Sequence, residues 1–167
     1  MNQAAPPRSL CLALALVCGS VIGAEIALTR LFSFLLHYHY TFLILSGAIC
    51  GLGVGAVLAA RLSGAWALSL LAFGQGLGLW LATALASWAP RAGLPWLLLA
   101  AALPFALAGG FLSLVFRAHA GHSQRLYALL ACGLLAALAG GVLAPSRRWG
   151  GGGVALFLVA LLAQRAL

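Results

Sequence analysis

Residues 41–60 read TFLILSGAICGLGVGAVLAA, twenty consecutive residues without a charge. A helix rises 1.5 Å per residue, so this run spans about 30 Å, the thickness of a bilayer's hydrocarbon core. Arg, Pro and polar clusters interrupt the chain on either side, and cutting it at each interruption yields further runs of similar length. The predicted spans are 10–28, 41–60, 65–87, 94–116, 126–144 and 150–166. Their connectors are short, which makes consecutive helices antiparallel neighbours. The expected fold is all-α, an integral membrane helical bundle of about six transmembrane helices in a single transmembrane domain, residues 1–167. The opening MNQAAPPRSLCLALALVCGSVIGAE has the outline of a signal peptide, but every later segment is as apolar, so an uncleaved first span is expected.

Composition agrees with that reading. Of 167 residues, 65% are hydrophobic and 6% charged, against about a quarter charged in a soluble domain. The chain has nine Arg and one Glu, with neither Lys nor Asp. The Arg residues fall one or two at a time between apolar runs, where long side chains reach the headgroups. A nucleic-acid surface would cluster them on one face instead. The expected partners are therefore the lipid bilayer and other membrane-protein subunits, with no nucleic acid. Arg8, Arg61, Arg117, Arg125 and Arg165 fall on one side and Arg30, Arg91, Arg147 and Arg148 on the other. By the positive-inside rule both termini are cytoplasmic, with the bacterial inner membrane as the expected location.

The stretch TRLFSFLLHYHY, residues 29–40, is too apolar and aromatic for an aqueous loop. It either extends the first or second helix or lies in the interface with Phe32, Phe34, Tyr38 and Tyr40 at headgroup depth, and a bent or interfacial segment after the first span is expected. Trp66, Trp80, Trp88, Trp96 and Trp149 mostly flank span ends, as an aromatic belt does. Gly47, Gly51 and Gly55 recur every fourth residue and share a helix face, where small residues let a neighbouring backbone come close. Gly74 with Gly78, and Ala136 with Gly140, repeat the spacing, and all seven positions are expected to pack helices. Pro104 can kink the fourth span, because proline removes a helix hydrogen bond.

Chemistry-bearing residues are few. Glu25, the one Asp or Glu of the chain, lies near the end of the first span, where an ionisable group is costly. Arg30 is its natural partner, but helix neighbours are three or four residues apart and these two are five, so either the helix bends near Thr29 to pair them or Glu25 reaches another helix. Glu25, Thr29, Arg30, Tyr38 and His39 form the candidate intramembrane polar site, read either as a structural ion pair or as a proton or cation site. His37, His39, His119 and His122 sit at span ends on opposite membrane faces and read as interfacial anchors. Cys11, Cys18, Cys50 and Cys132 read as small buried hydrophobes. No catalytic residue, metal site or cofactor is expected, and the Gly150–Gly153 run lacks the Lys-Ser or Lys-Thr of a phosphate loop.

The run GAEIALTRLFSFLLHYHYTFLILSGAICGLGVGAVLA, residues 23–59, resembles the start of the membrane domain of bacterial membrane-bound spermidine synthase-like proteins. The matching positions are Glu25, Thr29, Arg30, Tyr38, His39 and Gly51 to Gly55. LPFALAGGFLSLVFRAHAGHSQRLYALLACG, residues 103–133, is similar to the same domain through Pro104, Phe105, Gly109, Arg125-Leu126-Tyr127 and Gly133. The resemblance covers most of the chain and implies a membrane domain lacking its catalytic partner. It departs at Leu130, where the family places an Asp. Aminopropyl transfer handles cationic polyamines and a sulfonium donor, which call for several carboxylates. With one Glu, the chain is not expected to be an enzyme alone. The expected function is that of a noncatalytic membrane subunit that anchors or packs within a larger complex. The alternatives are a small-solute or proton transporter or channel, and the membrane half of a split aminopropyltransferase-like enzyme.

Overall fold

The computed structural model describes residues 7–35, 38–62, 64–88 and 93–143, and within them the side chains of all but 31–32, 34–35, 38–41, 44, 65, 86–88, 94 and 136–143. The described residues form five long helices and one short turn, with no strand among them. They are α1 (Arg8–Leu35), α2 (Tyr38–Ala59), α3 (Ala65–Trp88) and α4 (Leu94–Ala118), then a 3₁₀ turn (Ala120–His122) and α5 (Ser123–Leu143). Three of them are long and apolar enough to cross a membrane, over Arg8–Arg30, Trp66–Leu85 and Pro95–Ala118, and Leu45–Ala59 is a shorter apolar stretch. The expected sixth span, 150–166, lies outside the described residues.

The segment expected to bend after the first span does not stand apart. Thr29 to Leu35 continue α1 and Tyr38 to Tyr40 open α2. The local reason is that TRLFSFL contains neither Gly nor Pro, and the Ser33 hydroxyl donates 2.8 Å to the Arg30 carbonyl within the helix. At 28 residues α1 is about 42 Å long, more than the thickness of a hydrocarbon core of about 30 Å.

α4 is the central helix, packed chiefly against α2 and α3, while α1 pairs with α5 and makes lighter contacts with α2, α3 and α4. The glycines fix the directions. Gly47 faces Leu98, Gly51 faces Ala102 and Gly55 faces Ala106, a constant offset that makes α2 and α4 parallel. Gly78 faces Pro104 and Gly74 faces Leu107, a falling register that makes α3 antiparallel to both. The two-residue connection from α1 to α2 and the 3₁₀ turn from α4 to α5 return the chain in the same up-and-down manner.

The arrangement of sizes is that of a bundle solvated by lipid. Its buried face is rich in small residues, among them Ala13, Ala24, Ala48, Ala72, Ala101 and Ala108, with Leu14, Phe111 and Leu126 filling the gaps. Large apolar side chains point outward, including Phe42, Ile49, Val57, Trp66, Leu99 and Leu135. Lipid tails are as apolar as Leu, so close backbone contact replaces the hydrophobic effect as the force between helices.

Candidate functional site

Three polar features stand within or at the ends of this bundle. The first is the expected site on α1. Glu25 and Thr29 are four residues apart on one face and both half-buried, whereas Arg30 is exposed. The helix runs through Thr29 without interruption, so Arg30 lies about 140° around the axis from Glu25. The structure therefore brings Glu25 and Thr29 together and does not place Arg30 beside them. Tyr38 and His39 open α2, but their side chains lie outside the described residues, as does His37.

The second feature escaped the sequence reading. Ser20 of α1 and Gln75 of α3 are the two buried polar side chains among the described residues. The Ser20 hydroxyl donates 2.7 Å to the Val17 carbonyl, and the Gln75 amide Nε2 donates 2.7 Å to Ser20 Oγ. Because the hydroxyl proton is committed to Val17, Ser20 Oγ must accept, which fixes the orientation of the amide. Neither side chain is ionisable, and the signal in the sequence is a Gln flanked by Gly74 and Gly76 in a largely apolar span.

The third feature is the end of the bundle where α2 and α4 finish and α5 begins. The Arg117 guanidinium donates to the carbonyls of Ala60 and Leu62, just past the last turn of α2, where a helix leaves its carbonyls unpaired. Phe116 and Tyr127 stack in a tilted pair, 5.0 Å between centroids, which ties the last turn of α4 to the first turns of α5. Between them His119 precedes the 3₁₀ turn and His122 ends it, and the His122 backbone N–H donates 2.9 Å to the His119 carbonyl. Both imidazoles have Nδ1 buried without a hydrogen-bond partner.

The expected packing glycines on α2 lie on the face that meets α4, and Gly74 and Gly78 meet α4 from α3. Ala136 and Gly140 fall in α5, where their surroundings lie outside the described residues. Gly109 and Gly133 join the packing set: a methyl group on Gly109 would overlap the Leu52 carbonyl, and one on Gly133 the Ala15 carbonyl. Pro104 is buried against Gly78. Of the cysteines, Cys18 is buried and Cys11 half-buried, but Cys50 and Cys132 are exposed, because each falls on the outward stripe of its helix. Trp66 and Trp96 lie in the first turns of α3 and α4, as a belt requires, while Trp80 lies deeper along α3. Among the described residues no three His, Cys, Asp or Glu side chains gather where they could hold a metal ion.

No protein-family model matches the chain, and neither a curated protein nor a solved structure matches it significantly.

Proposed function

We propose that this protein is a noncatalytic subunit of a larger membrane complex, a bundle of about six spans with cytoplasmic termini in a bacterial inner membrane. The observation that carries the reading is the outward face of α5. That helix packs chiefly on α1, and Gln124, Ala128, Ala131, Cys132 and Leu135 form an exposed stripe at helical spacing. Small residues facing outward on a membrane helix suit another helix better than lipid, since they permit backbone approach. The close glycine contacts between α2 and α4 add a rigid scaffold. The likeness to the membrane domain of spermidine synthase-like proteins belongs to the same proposal, supported by the packing positions of Gly51, Gly55, Pro104, Gly109 and Gly133.

Mild-detergent purification tests it. A partner should be recovered at fixed stoichiometry, cross-link through Cys132, and be lost on Ala128→Trp. Solute uptake by the isolated chain in liposomes would overturn the reading. That outcome would favour a transporter, whose supporting observation is the buried Ser20–Gln75 bond five residues along α1 from Glu25.

A further inference from the structure

We propose that the end of the bundle formed by Arg61, Arg117, His119, His122 and Arg125 binds the phosphate of an anionic phospholipid. Positive residues near a membrane face are ordinary. What distinguishes these is convergence. Arg117 bonds to the carbonyls of Ala60 and Leu62, so its guanidinium lies against the backbone on either side of Arg61. The Phe116–Tyr127 contact holds the start of α5 against the end of α4, so Arg125 lies at the same end of the bundle. All three Arg side chains are exposed. No carboxylate opposes them: the chain's one Asp or Glu is Glu25, seventeen residues and about 25 Å along α1 from its start. Like charges gathered at the edge of a low-dielectric slab require a counter-anion.

The two histidines fit the same ligand. Each has Nδ1 buried with nothing to bond, and a buried N–H is the costlier group to leave unpaired, so the ring proton belongs on Nε2. A donor on Nε2 of each ring adds to the Arg groups at the same end of the bundle, whose planar forks match phosphate oxygens. A lipid suits the surroundings better than free phosphate, because Val57, Leu58, Trp66 and Tyr127 are large, exposed and apolar or amphipathic next to the charges. An acyl chain has a surface to follow there. Basic pockets at the ends of transmembrane helices are suited to such headgroups.

Native mass spectrometry of the full chain, released from micelles with equal phosphatidylglycerol and phosphatidylcholine, tests this. Phosphatidylglycerol should be retained preferentially. Arg61→Gln and Arg125→Gln should each lower that preference about fivefold, the worth of one Arg near a membrane surface, while Arg30→Gln at the opposite end leaves it unchanged. Arg117 is left intact because it also caps α2. Equal retention of the two lipids by the unmodified protein would overturn the proposal without any variant. So would a preference that persists in the Arg61→Gln, Arg125→Gln double variant, and displacement of the lipid by excess inorganic phosphate would overturn the lipid as the source.

Discussion

Gly55 of α2 rests directly on the carbonyl of Ala106 in α4, so that even a methyl group in place of its hydrogen would overlap the oxygen. One turn earlier Gly51 meets the Ala102 carbonyl, where an added Cβ would lie 2.6 Å from the oxygen, and in return Gly109 meets the Leu52 carbonyl. Contacts of this kind suit Cα–H to carbonyl bonding between helices, each worth about 0.5–1 kcal/mol. Because the obstacle is backbone, it cannot move aside as a side chain can. Gly55→Ala is expected to destabilise the bundle by about 1–3 kcal/mol or more, the range for overpacking. Gly53 has open space around it, and Gly53→Ala should be neutral or gain up to about 1 kcal/mol from helix propensity. Unfolding in mixed dodecyl sulfate micelles, followed by tryptophan fluorescence, separates the two; equal midpoints would contradict the seam.

The Ser20–Gln75 pair predicts an asymmetry. Gln75→Leu removes the donor and leaves the Ser20 hydroxyl still bonded to Val17, so its cost should be about 0.6 kcal/mol, typical of polar pairs between membrane helices. Ser20→Ala strands a buried amide N–H and should cost more, about 1–3 kcal/mol. The double variant should then be more stable than Ser20→Ala alone. A strictly additive cycle, measured by the same unfolding, would show that the bond contributes nothing.

The helices themselves were legible because each apolar run is long and is closed by Arg, Pro or a polar cluster. The four-residue spacing puts Gly47, Gly51 and Gly55 on one face of α2, and Leu98, Ala102 and Ala106 of α4 lie opposite them. What the sequence could not supply was the partner: Gly51 and Gly55 needed Ala102 and Ala106 across the seam, and α2 and α4 are not consecutive. In the aromatic stretch, hydropathy signals membrane depth but not backbone shape, and residues 29–35 continue the helix of α1. Continuing that helix is also what separates Arg30 from Glu25. Ser20 and Gln75 were overlooked because neutral polar residues barely disturb hydropathy, and their significance appears only when α1 and α3 are brought together.

Arg117 closes α2 by bonding two carbonyls beyond its last turn, a cation at the negative end of a helix dipole. Being exposed, it gains less than a buried pair would, and Arg117→Ala should cost about 1 kcal/mol at low ionic strength. Arg117→Lys should recover only part of this, since an ammonium cannot span both carbonyls with a planar fork. Hydrogen exchange at the last amides of α2 gives the local readout: faster exchange there with α1 unchanged is expected. Uniform acceleration across the bundle would instead assign Arg117 a global role.

The register of the helices makes a prediction about sidedness that does not depend on which way the bundle is inserted. With α2 parallel to α4 and α3 antiparallel to both, the Leu62–Gly64 connection and the His119–His122 turn share one end, and Gly93 lies at the other. Reporter fusions after Leu62 and after His122 should therefore agree, and a fusion after Gly93 should report the opposite side. The shared end carries Arg61, Arg117 and Arg125, together with Arg8 at the start of α1, so the positive-inside rule predicts a cytoplasmic position for it. A green fluorescent reporter is then expected to be active after Leu62 and His122, and a periplasmic phosphatase after Gly93. Phosphatase activity at all three positions would break the parallel pairing of α2 and α4, while a reversal of all three would keep the pairing and overturn only the orientation.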